Sequence, residues 1–323
     1  MIDNEFTVKK VIGMGGSSKV FLALNKEGQK VAIKAIRKDK NYKRATACNM
    51  LQREHDMLEK LVDHPNIISP LGCNFDGEAE MNGEVEPVMY NVLEYAHNGA
   101  LSRFVRYTGG IEEEISRLFI LQICDAIQFI HNQGFAHLDI KLENILLDEF
   151  FNIKVADLGS CISVSENGGL IKNRRGTALY MAPEVASLKP KQKFNGKAAD
   201  IYSLGVTIYL LLTGEFPNLQ EKENTSITTG SDSSDIEMKD ESQKPLEKFS
   251  KLSEPMKYLL QKMLHSDPSE RPTITEILSY PDLCRPVDSL LISDAFSEMT
   301  YRKKYILSYC KTSGEGSSRH IIP

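Results

Sequence analysis

The 323-residue chain has no tryptophan, no surplus of positive charge, no CxxC pair and no apolar run long enough to cross a bilayer. Each of the last three absences removes a class of function. With 39 basic against 44 acidic residues and a net charge of −5, it lacks the basic face that neutralises nucleic-acid phosphates, so no nucleic-acid partner is expected. Its six cysteines (Cys48, Cys73, Cys124, Cys161, Cys284, Cys310) are scattered. In a chain this long they read as free thiols in a reducing compartment, not a disulfide frame or a zinc cluster. The opening Met1-Ile2-Asp3-Asn4-Glu5 carries acids and no apolar h-region, so no signal peptide is expected. The longest apolar stretch, Ile201 to Leu212, is short for a span and is interrupted by Ser203 and Gly205; it reads as a buried core helix. The expectation is an intracellular, cytoplasmic protein without a membrane span, the nucleus remaining open.

What is present is enough apolar material, 41%, to bury one large domain or two lobes. Residues 7–37 alternate apolar and polar as strands do: Val8, Val11 and Ile12, then Val20 to Ala23, then Val31 to Ile33, with a hairpin turn at Lys26-Glu27-Gly28. From Ala45 to Leu61 the period becomes helical, placing Met50, Leu51, Met57, Leu58 and Leu61 on one side. Strands are expected near Ile68–Phe75 and Val88–Tyr95, separated by an acidic loop carrying Asp76, Glu78, Glu80, Glu84 and Glu86. Beyond Asn98 the pattern is mainly helical: Leu101–Thr108, Glu112–Gln133, Lys197–Thr213, Glu254–Leu264 and Thr273–Ser279. A strand-rich part followed by a helix-rich part implies an α+β chain of two unlike lobes, crossed once at Glu94–Asn98, with a ligand cleft between them.

The densest chemistry lies in His137-Leu138-Asp139-Ile140-Lys141-Leu142-Glu143-Asn144, followed by Asp157-Leu158-Gly159. Transfer of a phosphoryl group to a hydroxyl needs a carboxylate to orient the hydroxyl, oxygen ligands for Mg²⁺ and a cation for the migrating charge. Asp139, Lys141, Asn144 and Asp157 offer all three within eighteen positions of Asp139. Singly, each reads as a polar group capping a turn. Jointly, between the apolar strands Ile145–Leu147 and Ile153–Val155, that reading fails. Upstream, Gly13-Met14-Gly15-Gly16-Ser17-Ser18-Lys19-Val20 sits between two strands, where glycines let backbone approach phosphates. Alone it could be a hairpin turn, but Val31-Ala32-Ile33-Lys34 follows on the next strand.

These motifs, in this order, resemble the protein kinases of the serine/threonine class over about residues 7–282. The resemblance implies a bilobal protein-kinase-like fold: a small β-rich lobe of about 7–95, a larger helical lobe of about 99–282, an acidic insert at about 219–244, and a tail over 283–323. It implies ATP and Mg²⁺ as cofactors and protein substrates as partners. Catalytic roles would fall to Asp139, Lys141, Lys34, Glu54 and Thr177, and metal-binding roles to Asn144 and Asp157. The nucleotide would lie against Ile12, Gly13, Gly15, Gly16, Ser18, Val20, Ala32, Lys34, Leu93, Glu94, Ala96 and Leu146. Leu93 would limit the pocket behind the adenine, with Glu94 and Ala96 offering backbone hydrogen bonds to the base. Glu54 is favoured as the partner of Lys34, with Glu59 as the competitor, because Leu58 one turn later then faces the core. His137 would be structural, packed beside Leu158.

Gly176–Glu184 resembles the family's peptide-docking segment, with Glu184 pairing Arg271. Asp200 could be a helix N-cap, a brace for the catalytic loop, or both. The sequence departs from the family at Leu138 (usually Arg), Leu158 (usually Phe), Ser18 (the third glycine) and Leu142 (often Pro). Leu138 cannot pair a phosphate on the activation segment, so activity through that route is not expected to need one. Ala100, where many kinases preferring basic substrates carry Glu, gives no expectation of such a preference, Glu143 being one remaining Arg partner. The alternative reading is a pseudokinase acting as a nucleotide-binding scaffold.

The insert at 219–244, with seven acids against three lysines, reads as a flexible loop, open to a regulatory partner or to phosphorylation at Ser231, Ser233 or Ser234. Thr312 to Pro323 reads as disordered, and Arg302-Lys303-Lys304 as a solvated helix face.

Overall fold

The structure is a computed structural model that describes residues 1–14, 18–36, 44–62, 64–81, 84–164, 169–218 and 248–313, with the side chains of 44–48 and 81 excepted. The insert at 219–244, Gly15, Gly16 and the chain beyond Ser313 therefore lie outside the described residues.

The small lobe is a five-stranded antiparallel sheet in the order β1-β2-β3-β5-β4. Its strands are β1 (Thr7–Met14), β2 (Ser18–Leu24), β3 (Lys30–Ile36), β4 (Pro70–Met81) and β5 (Glu84–Glu94). One helix, α1 (Arg44–Lys60), packs on it. The sequence placed Met50 on the inward side, but it is exposed. The buried row of α1 is Leu51, Glu54 and Leu58, spaced three and four apart, which sets a carboxylate in line with two leucines.

The acidic loop expected between β4 and β5 is instead strand. The pair continues through Glu78↔Pro87 and Glu80↔Val85 to Met81↔Glu84. Ladder hydrogen bonds use the backbone, so glutamates that point to solvent do not oppose them. The N-terminal residues add support: Asp3 N–H bonds Glu78 O at 2.8 Å, and the Asp3 carboxylate accepts from Tyr90 Oη and Asn74 Nδ2.

Two-residue strands and short hairpins frame the large lobe: β6 (Gly99–Ala100), β7 (Phe135–Ala136), β8 (Ile145–Leu147), β9 (Ile153–Val155), β10 (Ile162–Ser163), β11 (Leu170–Ile171) and β12 (Phe194–Asn195). Its helices are α2 (Leu101–Thr108), α3 (Glu113–Asn132), α4 (Pro183–Ala186), α5 (Gly196–Thr213), α6 (Glu254–Met263), α7 (Ile274–Leu278) and α8 (Ser289–Thr312). In α3, Ile120, Ile123, Ile127 and Ile130 are fully buried; α5 is apolar nearly all round and sits at the centre. Its N-cap is Asn195, whose side chain accepts Ala198 N–H at 3.2 Å. Asp200 lies inside the helix, so its N-cap reading is incorrect.

The sequence did not foresee α8, a 24-residue helix. It buries Ala295, Met299 and Ile306 in the main core. The expectation of a solvated Arg302-Lys303-Lys304 holds for the two lysines and fails for Arg302. That guanidinium donates to the carbonyls of Thr108, Gly109 and Gly110 and pairs with Glu298 at 2.7 Å. It thus satisfies carbonyls at the C-terminus of α2 that have no helical partner.

Candidate active site

β3 places Lys34 beside Val20 of β2 and Asn91 of β5, and places Ala32 beside Leu93, so these side chains share one face of the sheet. From that face Lys34 Nζ reaches Glu54 Oε1 on α1 at 2.6 Å and Asp157 Oδ1 at 2.9 Å. Glu59, the rival for Lys34, is exposed and lies 3.9 Å from His55. Burial opposes the Lys34 charge, yet the two carboxylates hold its pKa well above that of an ordinary lysine. The Lys34 ammonium in turn holds the Asp157 carboxyl below the usual range, so Asp157 is ionised near neutrality. Burial lifts the Glu54 carboxyl above its ordinary value, Lys34 pulling against it.

The main apolar cluster spans both lobes and contains Ala32, Leu93 and Ala96, with Ile12, Val20 and Leu146 packed against it. The six apolar residues expected to line an adenine slot therefore belong to one packed cluster. Ser18 is buried and pairs with Ile36. A Cβ on Gly13 would fall 2.9 Å from Val20 Cβ. At the crossing, Glu94 N–H bonds Ser69 O at 3.0 Å and its carboxylate pairs with Lys154 at 2.9 Å. The Ala96 carbonyl accepts Gly99 N–H at 3.2 Å.

On the opposite wall, one hydroxyl ties two charges. Thr177 Oγ1 donates to Asp139 Oδ1 at 2.8 Å and accepts from Lys141 Nζ at 2.8 Å, while Lys141 Nζ also meets Asp139 Oδ2 at 2.9 Å. Asn144 Nδ2 donates to Asp139 O at 2.8 Å and to Asp139 Oδ2 at 3.2 Å. This loop is held from beneath. Asp200, wholly buried, accepts His137 N–H and Leu138 N–H at 2.7 Å each and meets His131 Nε2 at 2.9 Å. Those bonds stabilise Leu138 at φ 63°, a left-handed conformation that costs a non-glycine residue roughly 1–3 kcal/mol. The close approach of Gly176 has the same origin: at φ 99°, a Cβ there would sit 2.5 Å from Leu138 O. His137 is wholly buried, with Nδ1 accepting Asp139 N–H at 3.2 Å.

The segment after Gly176 is anchored by Arg271, whose guanidinium grips Glu184 through two bonds of 2.7 and 2.8 Å. Tyr180 bonds Glu143 Oε2 at 3.0 Å and accepts Ser203 Oγ at its carbonyl at 2.9 Å. Glu143, the one remaining candidate partner for a substrate arginine, thus accepts a hydrogen bond within the chain. Leu138 packs with Val164, Ile171, Tyr180, Val185 and Phe194, so an apolar contact lies where the family carries arginine.

Three features escaped sequence reading. His131 lies in the last turn of α3 and carries no local sign of its contact with Asp200, 69 positions away. Tyr180 gives no sign of reaching Glu143. Asn91 lies on β5 opposite Lys34, wholly buried, and its amide side chain has no hydrogen-bond partner among the described residues.

A family model described as a protein kinase domain matches residues 6–282. The chain belongs to the protein kinase family. Curated relatives include CBL-interacting protein kinase 11 of Oryza sativa subsp. japonica, 37% identical over 66% of this chain and 40% of that protein. CBL-interacting serine/threonine-protein kinase 16 of Arabidopsis thaliana is 31% identical over 86% of this chain and 56% of its own length. Serine/threonine-protein kinase 33 of Mus musculus is 33% identical, covering 86% and 54%. The chain thus spans about half the length of the curated relatives it matches. Membership implies a nucleotide site and metal-dependent phosphoryl transfer. No described helix of the kinase domain or tail is long and apolar enough to cross a membrane.

Proposed function

We propose that the chain transfers the γ-phosphoryl of ATP to serine or threonine hydroxyls of proteins. One observation carries this reading most: Lys34 of the small lobe and Asp157 of the large, 123 positions apart, meet at 2.9 Å in the same domain as the Asp139–Thr177–Lys141 triad. In the transfer, the bond from γ-phosphorus to the bridging oxygen breaks, a bond to the substrate Oγ forms, and ADP leaves. Asp139 orients the hydroxyl and takes its proton. Lys141 stabilises charge on the moving group, and Lys34, fixed by Glu54, holds the phosphates. Ile12, Val20, Ala32, Leu93, Ala96 and Leu146 enclose the base, with the Ala96 N–H and the Glu94 backbone at the hinge.

The donor set fits Mg²⁺. Asn144 spends its amide nitrogen on Asp139, which leaves its oxygen for a cation, and Asp157 is an ionised carboxylate. Both are hard oxygen donors, as Mg²⁺ prefers. When bound, the cation would neutralise phosphate charge; Asn144 and Asp157 would hold it. Nothing in the site favours a pseudokinase, since Leu138 and Ser18 displace none of Lys34, Asp139, Asn144 or Asp157.

The chain's five cysteines with described side chains are free, which fits the reducing interior of a cell. A regulatory partner for the acidic insert remains part of this proposal. The test is labelled ATP with a generic protein substrate. Asp139→Asn should lower incorporation by roughly 10²–10⁴-fold; equal labelling by both proteins would overturn the proposal.

A further inference from the structure

The activation segment and the loop before α5 carry a charge unlike that of the rest of the chain. Residues 169–200 contain Lys172, Arg174, Arg175, Lys189, Lys191, Lys193 and Lys197 against only Glu184 and Asp200, in a protein of net charge −5. Both acids are committed, Glu184 to Arg271 and Asp200 to His131 and the catalytic loop. Lys197 donates to His131 O and is likewise spent. The other six basic side chains form no ion pair with a described residue, and all but half-buried Arg175 are exposed.

The fold holds part of this group beside the catalytic residues. β11 pairs antiparallel with β12 and ends on Ile171↔Phe194, so Lys172 and Lys193 are the residues that adjoin that last pair. Arg174 crosses to the same side, reaching Ala186 O at 3.3 Å and Met181 Sδ at 3.2 Å. Arg175 lines a small cavity together with Asp139, Gly176 and Thr177. The basic group thus flanks the segment Gly176–Glu184 and the carboxylate that would orient a substrate hydroxyl. Uncompensated charge of one sign at the rim of a binding site attracts and selects the opposite sign.

We infer that this face selects serine and threonine residues flanked by aspartate and glutamate, so that the substrates are acidic peptide segments. The inference rests on the kinase reading above. A peptide of the required chemistry is written in the chain itself: residues 229–241 set Ser231, Ser233 and Ser234 among Asp232, Asp235, Glu237, Asp240 and Glu241. Among the described residues, Phe216 has its ring 5.3 Å from the ring of Tyr180 in the docking segment.

The experiment measures kcat/KM of the full chain for a peptide of residues 229–241 and for the same peptide with its acids changed to Asn and Gln, alongside a generic protein substrate. The acidic peptide should be preferred by about tenfold or more, through KM, with the advantage falling as salt rises. The double variant Lys191→Glu, Lys193→Glu, altering two exposed side chains away from the reacting atoms, should remove most of that preference and leave the neutral peptide unchanged. Equal kcat/KM for both peptides overturns the inference. So does a double variant that slows both peptides alike, since the lysines would then serve only the fold of the segment. Labelling of the generic substrate without the acidic peptide sinks the inference and spares the kinase reading; labelling of nothing sinks both.

Discussion

Two ion-paired groups, one within the large lobe and one that reaches from the small lobe to the large, join residues far apart in sequence and do so in opposite ways. In the large lobe, Arg271 is saturated. Its side chain is fully buried, two bonds go to Glu184, and the remaining donors go to the carbonyls of His265, Ala198 and Ser266, with the Tyr202 ring 5.0 Å away. No donor is left for a ligand. In the small lobe, Lys34 is shared: one ammonium serves two carboxylates, and the group as a whole keeps a net negative charge. The first arrangement locks a segment in place. The second leaves Asp157, whose side chain is 45% exposed, short of positive charge and facing solvent. A cation or a phosphate complex can complete it.

Three substitutions sharpen that contrast. Arg271→Ala should have the largest effect, about 3–5 kcal/mol of stability, because Glu184 and three carbonyls lose their donor in a buried site. The check is the melting temperature, and an unchanged value would end the structural reading. Arg271→Lys should recover little, since an ammonium cannot match the two-pronged geometry. Lys34→Met should reverse the pattern. Phosphoryl transfer should fall by roughly 10²–10³-fold while stability falls by less than for Arg271→Ala, because a lone Glu54, already lifted by burial, can take up a proton. A stability loss as large as that of Arg271→Ala would erase the distinction.

The smallest effect concerns pH. Asp157 has its carboxyl held below the ordinary value by Lys34, so its contribution to stability is complete above the unfolded carboxylate pKa, near about 3.9. That contribution is lost as pH falls through the lowered folded value. Asp157→Asn removes this dependence, and its stability should therefore fall less steeply than that of the parent below about pH 4. Parallel curves for the two proteins in acid would show that Lys34 does not hold Asp157.

Much of this was legible because kinase chemistry is written in short, local strings. β8 and β9 have the expected limits, α2 likewise, and the other expected helices agree to within a residue or so at each end. What was not legible has identifiable causes. The β4–β5 ribbon was hidden because its sequence advertises solvent exposure through its glutamates, whereas ladder pairing is a backbone property. α8 was hidden because three buried residues in 24, Ala295, Met299 and Ile306, leave a weak apolar stripe. Arg302 looked solvated because nothing in its neighbourhood announces the carbonyls of Thr108, Gly109 and Gly110, some 190 positions earlier.

The sequence by itself determined which chemical groups exist and their order: an ammonium on a strand, a carboxylate on a helix, and a loop with acid, amine and amide at fixed spacing. Local periodicity sufficed for that, since strand and helix faces repeat over two to four residues. Only the tertiary structure decided which group meets which: Glu54 and not Glu59 at Lys34, Asp200 beneath the catalytic loop, and Phe194 opposite Ile171. Such meetings depend on how separate elements cross in space. Burial and long-range hydrogen bonding select those crossings, and no short window of sequence contains them.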